Sequence, residues 1–323
     1  MKDIKTSLTA ISKLYNTKKP HLLDSINLIC TALEKLEALA SYEYYGDFKG
    51  VPNIAYYAFT NSENISRPVQ PEMFHYNRRV FLEEFNILMQ SFQRTPDQWT
   101  HEEKKRANNV VYTGVMAIAC CYDLWQRGSR KTPGTFFEIF MAGILKEVFA
   151  EYYFSKHIPL TEFLDGEELG NDAITEATNE DIEGDSEEPE LKDSVSSLST
   201  DLVIKNVSSG KSLVIPFKIT TRERIVQPFA HQRILDSAFG IGKFSSFIVC
   251  ISETQQDKKN TKVNQVCVPG TVKLYQQHLA PVRGLYYCDI PQRYDAPDMQ
   301  KLLPVKTVGD FFVDAYHFFH ESK

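Results

Sequence analysis

The sequence predicts a mixed α/β protein, a mixed β-sheet core flanked by helices behind a mostly helical N-terminal region. Three observations carry this prediction. Apolar residues recur at helical spacing through much of residues 1–155. A Val/Ile-rich hairpin occupies 199–219, and short apolar strands then alternate with helices to the C-terminus. At 323 residues, 42% apolar and 24% charged, the chain has ample material for one large domain or two moderate ones. The composition shifts suggest a helical region over 1–130 and a core over 131–323, interrupted by an acidic insertion at about 164–199.

In chain order, helical periodicity runs through Leu22–Leu39, Phe81–Phe92 and Val110–Trp125. Between the first two lies a Tyr-rich, Pro-containing stretch, Tyr42–Pro71, read as a loop. Its tyrosines would either cover a core edge or stack on bases. Thr135–Phe154 is apolar nearly all round, follows a Pro133-Gly134 break, and places Thr135 and Glu138 at capping-box spacing. Glu138 and Glu147 are its awkward residues. Glu138 reads either as the capping carboxylate or as a helix carboxylate aimed at the hairpin.

The hairpin pairs Leu202–Ile204 with Leu213–Ile219 around the turn Ser208-Ser209-Gly210-Lys211. Beyond it the sequence predicts a helix over Pro228–Phe239, a buried strand over Ser246–Ser252 and a polar turn at Asp257–Asn260. A short strand at Gln265–Val268, a helix over Thr271–Leu279, a strand over Leu285–Ile290 and a last helix over Val308–Phe319 complete the chain. There is no internal repeat and no nucleotide-binding glycine loop.

Charge and cysteines narrow the setting. The net charge of −6 hides an uneven distribution: residues 162–193 hold 14 acidic side chains against one lysine, leaving 35 basic and 28 acidic elsewhere. A basic body suits a polyanionic partner, while the acidic run is either solvated or a contact surface. Six cysteines without a CxxC pair read as buried reduced thiols of a cytoplasmic protein. No apolar run reaches the roughly 20 residues of a membrane span, and the N-terminal MKDIKTSLTAISK lacks a signal-peptide core.

The chemistry concentrates in the hairpin and in the segment directly after it. Asp201 opens the first strand and Lys218 sits inside the second, where an ammonium needs a partner. A strand carboxylate and a helix carboxylate would hold Mg2+ with water completing the shell. Such an ion activates water and neutralises charge on a phosphoryl oxygen, and the neighbouring lysine orients that water. Arg222, Arg224 and Arg233 would clamp adjacent phosphates, with Gln227, His231 and Gln232 as auxiliaries. Bland readings stand beside these: Asp201 as a turn cap, Lys218 as an edge residue, Glu223 in an arginine salt bridge, His231 on a helix surface.

A helix bearing Glu138, then Asp201, a β-hairpin and Lys218 resembles the PD-(D/E)xK nuclease superfamily, in particular the type II restriction endonucleases. The resemblance runs from about Thr135 to Leu235 and includes the segment KITTRER. It implies a restriction-endonuclease-like core, with Asp201 as the metal-binding aspartate, Lys218 as the catalytic lysine and Glu138 as the helix carboxylate. Two positions depart from the pattern. Thr200 stands where a proline is usual, and Pro216 stands where the second acid belongs. Glu223 is the nearest replacement for that acid; Glu138, Glu147, Gln227 and Gln232 are others. The expected function is a Mg2+-dependent, sequence-specific endonuclease on double-stranded DNA, a homodimer with neither membrane nor nucleotide cofactor. Pro216 supports the alternative of an inactive DNA-binding protein on the same fold. A helical interaction protein using the acidic run is a third reading.

Overall fold

The computed structural model describes residues 1–49, 54–126, 129, 131–160, 197–257 and 262–321. The chain begins with α1 (Lys2–Asn16) and α2 (Leu22–Leu39), followed by β1 (Ser41–Asp47) and β2 (Ala55–Thr60). Next come α3 (Arg78–Ser91), α4 (His101–Trp125) and α5 (Thr132–Val148). The helical periodicities translate directly into α2, α3 and α4. A capping box between Thr100 and Glu103 starts α4, which is buried along most of its length. All six cysteines are buried and free. No helix among the described residues is long and apolar enough to cross a membrane.

Two expectations in this half are corrected. Tyr42–Pro71 is no plain loop: β1 and β2 pair antiparallel there, because alternating tyrosines suit a half-buried pleat. Tyr42 stacks on Tyr57 and Tyr76 and packs against Phe59, covering a core edge. The capping box at Thr135 and Glu138 does not form. α5 starts earlier, at Thr132, with Pro133 in the first turn where a missing N–H costs nothing, and it ends at Val148. Tyr153–Pro159 then becomes the strand β3, its backbone satisfied by an antiparallel ladder instead of a further helical turn.

The main sheet is built from β3, β4 (Ser197–Lys205), β5 (Ser212–Val214), β6 (Phe217–Lys218), β7 (Phe244–Cys250), β10 (Gly284–Tyr287) and β11 (Val305–Thr307). Its order is β11-β10-β7-β5-β4-β3, with β6 also paired to β7. β3, β4 and β5 pair antiparallel; β5 and β6 run parallel to β7, as do β7 to β10 and β10 to β11. Helix α6 (Val226–Phe239) links β6 to β7. The small hairpin β8 (Thr254–Asp257) and β9 (Lys262–Gln265), then α7 (Pro269–His278), lead to β10, and α8 (Pro297–Leu302) to β11. α9 (Val308–His320) closes the fold. The strand expected at Gln265–Val268 therefore lies earlier, as β9 paired with β8, and most of the expected turn at 257–260 falls outside the described residues.

Alternation along β7 shows how the core divides. Phe247, Val249 and Ile251 face the large cluster formed by α1–α5 and α9, whereas Ile248 and Cys250 face α6, α7 and α8. Helices thus cover both faces. On the first face α9 and α4 touch backbone to backbone: a Cβ added at Gly309 would collide with the Lys104 carbonyl. On the second face α6 packs on β7, while α5 packs on β6 from the first, so the two layers meet near Lys218.

Candidate active site

The hairpin's second strand is two pieces, not one run from Leu213 to Ile219. β5 pairs with β4 as far as Val203 opposite Val214, and the Ile215 N–H still donates to the Leu202 carbonyl at 2.8 Å. The β4 ladder ends there, while β7, already paired to β5, continues alongside β6 in the same register: the Pro216 carbonyl accepts from Val249 N–H at 3.0 Å, and the Lys218 carbonyl from Ile251 N–H at 3.1 Å. Pro216 has no N–H to give to β7, and the strand is interrupted there between β5 and β6.

Where the β4 ladder ends, Asp201 and Lys218 come together. The Phe217 N–H, freed from the β4 ladder, donates to Asp201 Oδ2 at 2.7 Å, and Lys218 Nζ lies 3.1 Å from the same oxygen. Asp201 neither opens its strand nor caps a turn: it lies inside β4, and its carboxylate takes up the strand N–H that the β4 backbone leaves unpaired. The two side chains are 30% and 16% exposed, enough for solvent to reach the pair and screen it. His231, on α6, faces them: burial lowers its pKa first, and the Lys218 charge lowers it further against the pull of Asp201.

Glu138, on α5, is the second carboxylate. Its side chain is 14% exposed and lies 2.5 Å from Lys156 Nζ on β3. Burial pushes its pKa up; the Lys156 ammonium opposes the rise, and the nearby Asp201 charge adds to it. Lys156 in turn covers the Tyr15 ring of α1 at 4.7 Å, and the Tyr15 hydroxyl is held protonated by burial and by the Glu138 charge. The N-terminal region therefore supplies a wall of the site.

The other expected residues scatter. Arg224, Arg233 and Gln227 are exposed. Gln232 is buried, and its Nε2 donates to Asp236 Oδ1 at 2.8 Å and to the Phe244 carbonyl at 3.1 Å, which ties α6 to β7. Glu147 is exposed on α5. The side chains of Arg222 and Glu223 and the whole acidic run 162–193 lie outside the described residues.

Among the described residues no three His, Cys, Asp or Glu side chains converge as a complete metal cluster. Asp201 and Glu138 nevertheless fit a magnesium ion, which is held by one or two carboxylates with water and substrate phosphate completing its shell. The Phe217 and Lys218 donors both fall on Oδ2 of Asp201, and the Asp201 charge is near enough to help push the Glu138 pKa up.

Sequence reasoning missed Lys156 and Tyr15. Lys156 was hidden by the overlong helix, although Phe154, Lys156 and Ile158 alternate as a strand would. It also missed two buried carboxylates at the end of β7 and β10. Glu253 is 1% exposed and Asp289 8%. An acid directly after the apolar run SFIVCIS was a signal that could have flagged the first.

Comparison with solved structures places this arrangement. The chain is similar to the type IIP restriction endonuclease Kpn2I, with 44% identity and a TM-score of 0.84 over 99% of this chain and 98% of that one. It is remotely similar to the restriction endonuclease PspGI in complex with substrate DNA: 14% identity, TM-score 0.40, over 76% and 92% of the two chains. No protein-family model and no curated protein matches the sequence.

Proposed function

This chain belongs to the type II restriction endonucleases and is a sequence-specific DNA endonuclease, and on that premise we propose a Mg2+-dependent hydrolysis of both strands of duplex DNA centred on Asp201 and Lys218. The observation that carries the reading is the 3.1 Å contact between these two side chains where the β4–β5 ladder ends. Asp201 and Glu138 hold the ion, which supplies charge neutralisation and water activation when bound.

Lys218 keeps two of its three N–H donors beyond the one directed to Asp201. It orients the attacking water, or holds a non-bridging oxygen of the scissile phosphate, as the new P–O bond forms opposite the breaking one. His231 lies within the field of both groups and positions water beside them. Lys156 opposes the burial that favours the protonated form of Glu138.

Arg222, Arg224 and Arg233 bind flanking phosphates, in keeping with the +7 charge of the chain outside 162–193. Glu223 is a further metal or catalytic ligand in this reading. Residues 1–130 serve dimerisation or base recognition and 131–323 form the nuclease core, working as a cytoplasmic homodimer whose two-fold matches a palindromic site.

Incubating the purified protein with plasmid DNA and Mg2+ tests the proposal. Discrete fragments should appear, vanish with a chelator and fall by about 100-fold or more in rate with Lys218→Ala. Lys218→Ala cleaving within about tenfold of wild type would remove the lysine from the chemistry.

A further inference from the structure

The rail that carries Lys218 continues beyond it. Ile251 N–H donates to the Lys218 carbonyl at 3.1 Å and Ser252 N–H to the Ile219 carbonyl at 3.2 Å. Two residues later the chain turns away from the sheet into the segment 222–225, a single 3₁₀ turn before α6. At that point Glu253, 1% exposed, receives it. Its Oε1 accepts from the Thr221 N–H at 2.7 Å and from the Thr221 hydroxyl, and Tyr287 OH donates to the same oxygen at 2.9 Å. Thr221 is equally buried, and its carbonyl accepts from Arg224 N–H at 2.9 Å, starting the turn.

Three donors on one buried oxygen are a costly arrangement. A charge withdrawn from water is tolerated only where several hydrogen bonds compensate it, and those bonds are shorter and more directional than neutral ones. The chain spends that directionality on a single residue, the last before the arginines. Among the described side chains Thr221 and Tyr287 donate to this oxygen, and of these Thr221 is the one that leads into the segment.

We infer that Glu253 is a positioning residue for DNA contact: by gripping Thr221 it fixes where the 222–224 segment leaves the catalytic strand, and so where its arginines meet phosphate. This rests on the reading of that segment as DNA-contacting. The side chain acts on affinity for DNA, because the hydrogen bonds that seat Lys218 on β7 are backbone bonds and survive its loss.

The test is single-turnover cleavage of supercoiled plasmid in Mg2+ over a range of concentrations of the full-length protein. With Glu253→Ala the enzyme concentration at half-maximal rate should rise about tenfold or more, while the plateau rate changes far less. Glu253→Gln, which keeps the acceptor oxygen, should stay near wild type. Thr221→Val, which removes only the hydroxyl donor, should shift in the same direction as Glu253→Ala, and Tyr287→Phe should not shift. A folded Glu253→Ala with wild-type concentration dependence overturns the inference; if that variant does not fold, wild-type behaviour of Thr221→Val overturns it. Equal defects in Thr221→Val and Tyr287→Phe also overturn it, since a carboxylate that merely holds the fold together would respond to either donor. Arg224→Ala separates the two layers. If it shifts the curve and Glu253→Ala does not, only the role of Glu253 fails; if it leaves the curve unchanged, the DNA-contacting reading of the segment fails and takes the inference with it.

Discussion

Asp289→Asn should make this protein more stable at neutral pH, and the size of the gain can be worked out. Asp289 follows β10, is 8% exposed, and its Oδ2 accepts from Tyr56 OH at 3.0 Å and Ser252 Oγ at 3.3 Å. Burial raises its pKa from 3.8 to about 6, with the two hydrogen bonds limiting the rise. The folded state therefore binds this proton more tightly than the unfolded chain does. Below pH 3.8 both states are protonated and no penalty arises; between 3.8 and 6 stability falls as pH rises; above 6 the penalty is complete. A shift of about two units amounts to about 3 kcal/mol.

Asparagine keeps an acceptor oxygen for Tyr56 and Ser252 and carries no charge. Denaturant unfolding at pH 7.5 should then show Asp289→Asn stabilised by up to about 3 kcal/mol, with the difference shrinking steadily toward pH 4. A variant no more stable than wild type at pH 7.5, or a difference that ignores pH, would refute the reasoning: the carboxylate would then be solvated or paired more strongly than its contacts imply.

Other consequences are simpler to check. Glu138→Gln keeps the shape of the helix carboxylate but loses its charge, so the Mg2+ concentration for half-maximal cleavage should rise by about tenfold; an unchanged metal dependence would place Glu138 outside the ion's shell. Arg233→Ala should weaken DNA binding and lower the slope of log affinity against log salt by about one, measured by fluorescence anisotropy. An unchanged slope would mean that Arg233 meets no phosphate. Gly309→Ala drives a methyl into the Lys104 carbonyl, a backbone group that cannot swing aside, and should cost about 2 kcal/mol or more in unfolding free energy. A wild-type melting curve would show that α9 can slide on α4.

What the sequence determined by itself is local. The apolar spacing of Leu22–Leu39 reports which face of one helix is buried, and α2 occupies that span. The Val/Ile runs around Ser208–Lys211 produce β4 and β5 for the same reason, and an acid and a lysine one hairpin apart already pointed to the pair that lies 3.1 Å apart. Tertiary structure alone decided the rest. Pro216 marks the place where β4 stops pairing while β7, a strand about 30 residues further on, continues on the other side. Lys156 reaches Glu138 only because the chain abandons α5 and joins β4 across 161–196. Glu253 and Asp289 find Thr221 and Tyr56 through packing between elements distant in sequence. The physical reason is common to all of them: periodicity encodes how one element meets water, whereas a buried charge is governed by whichever remote group the finished core sets beside it.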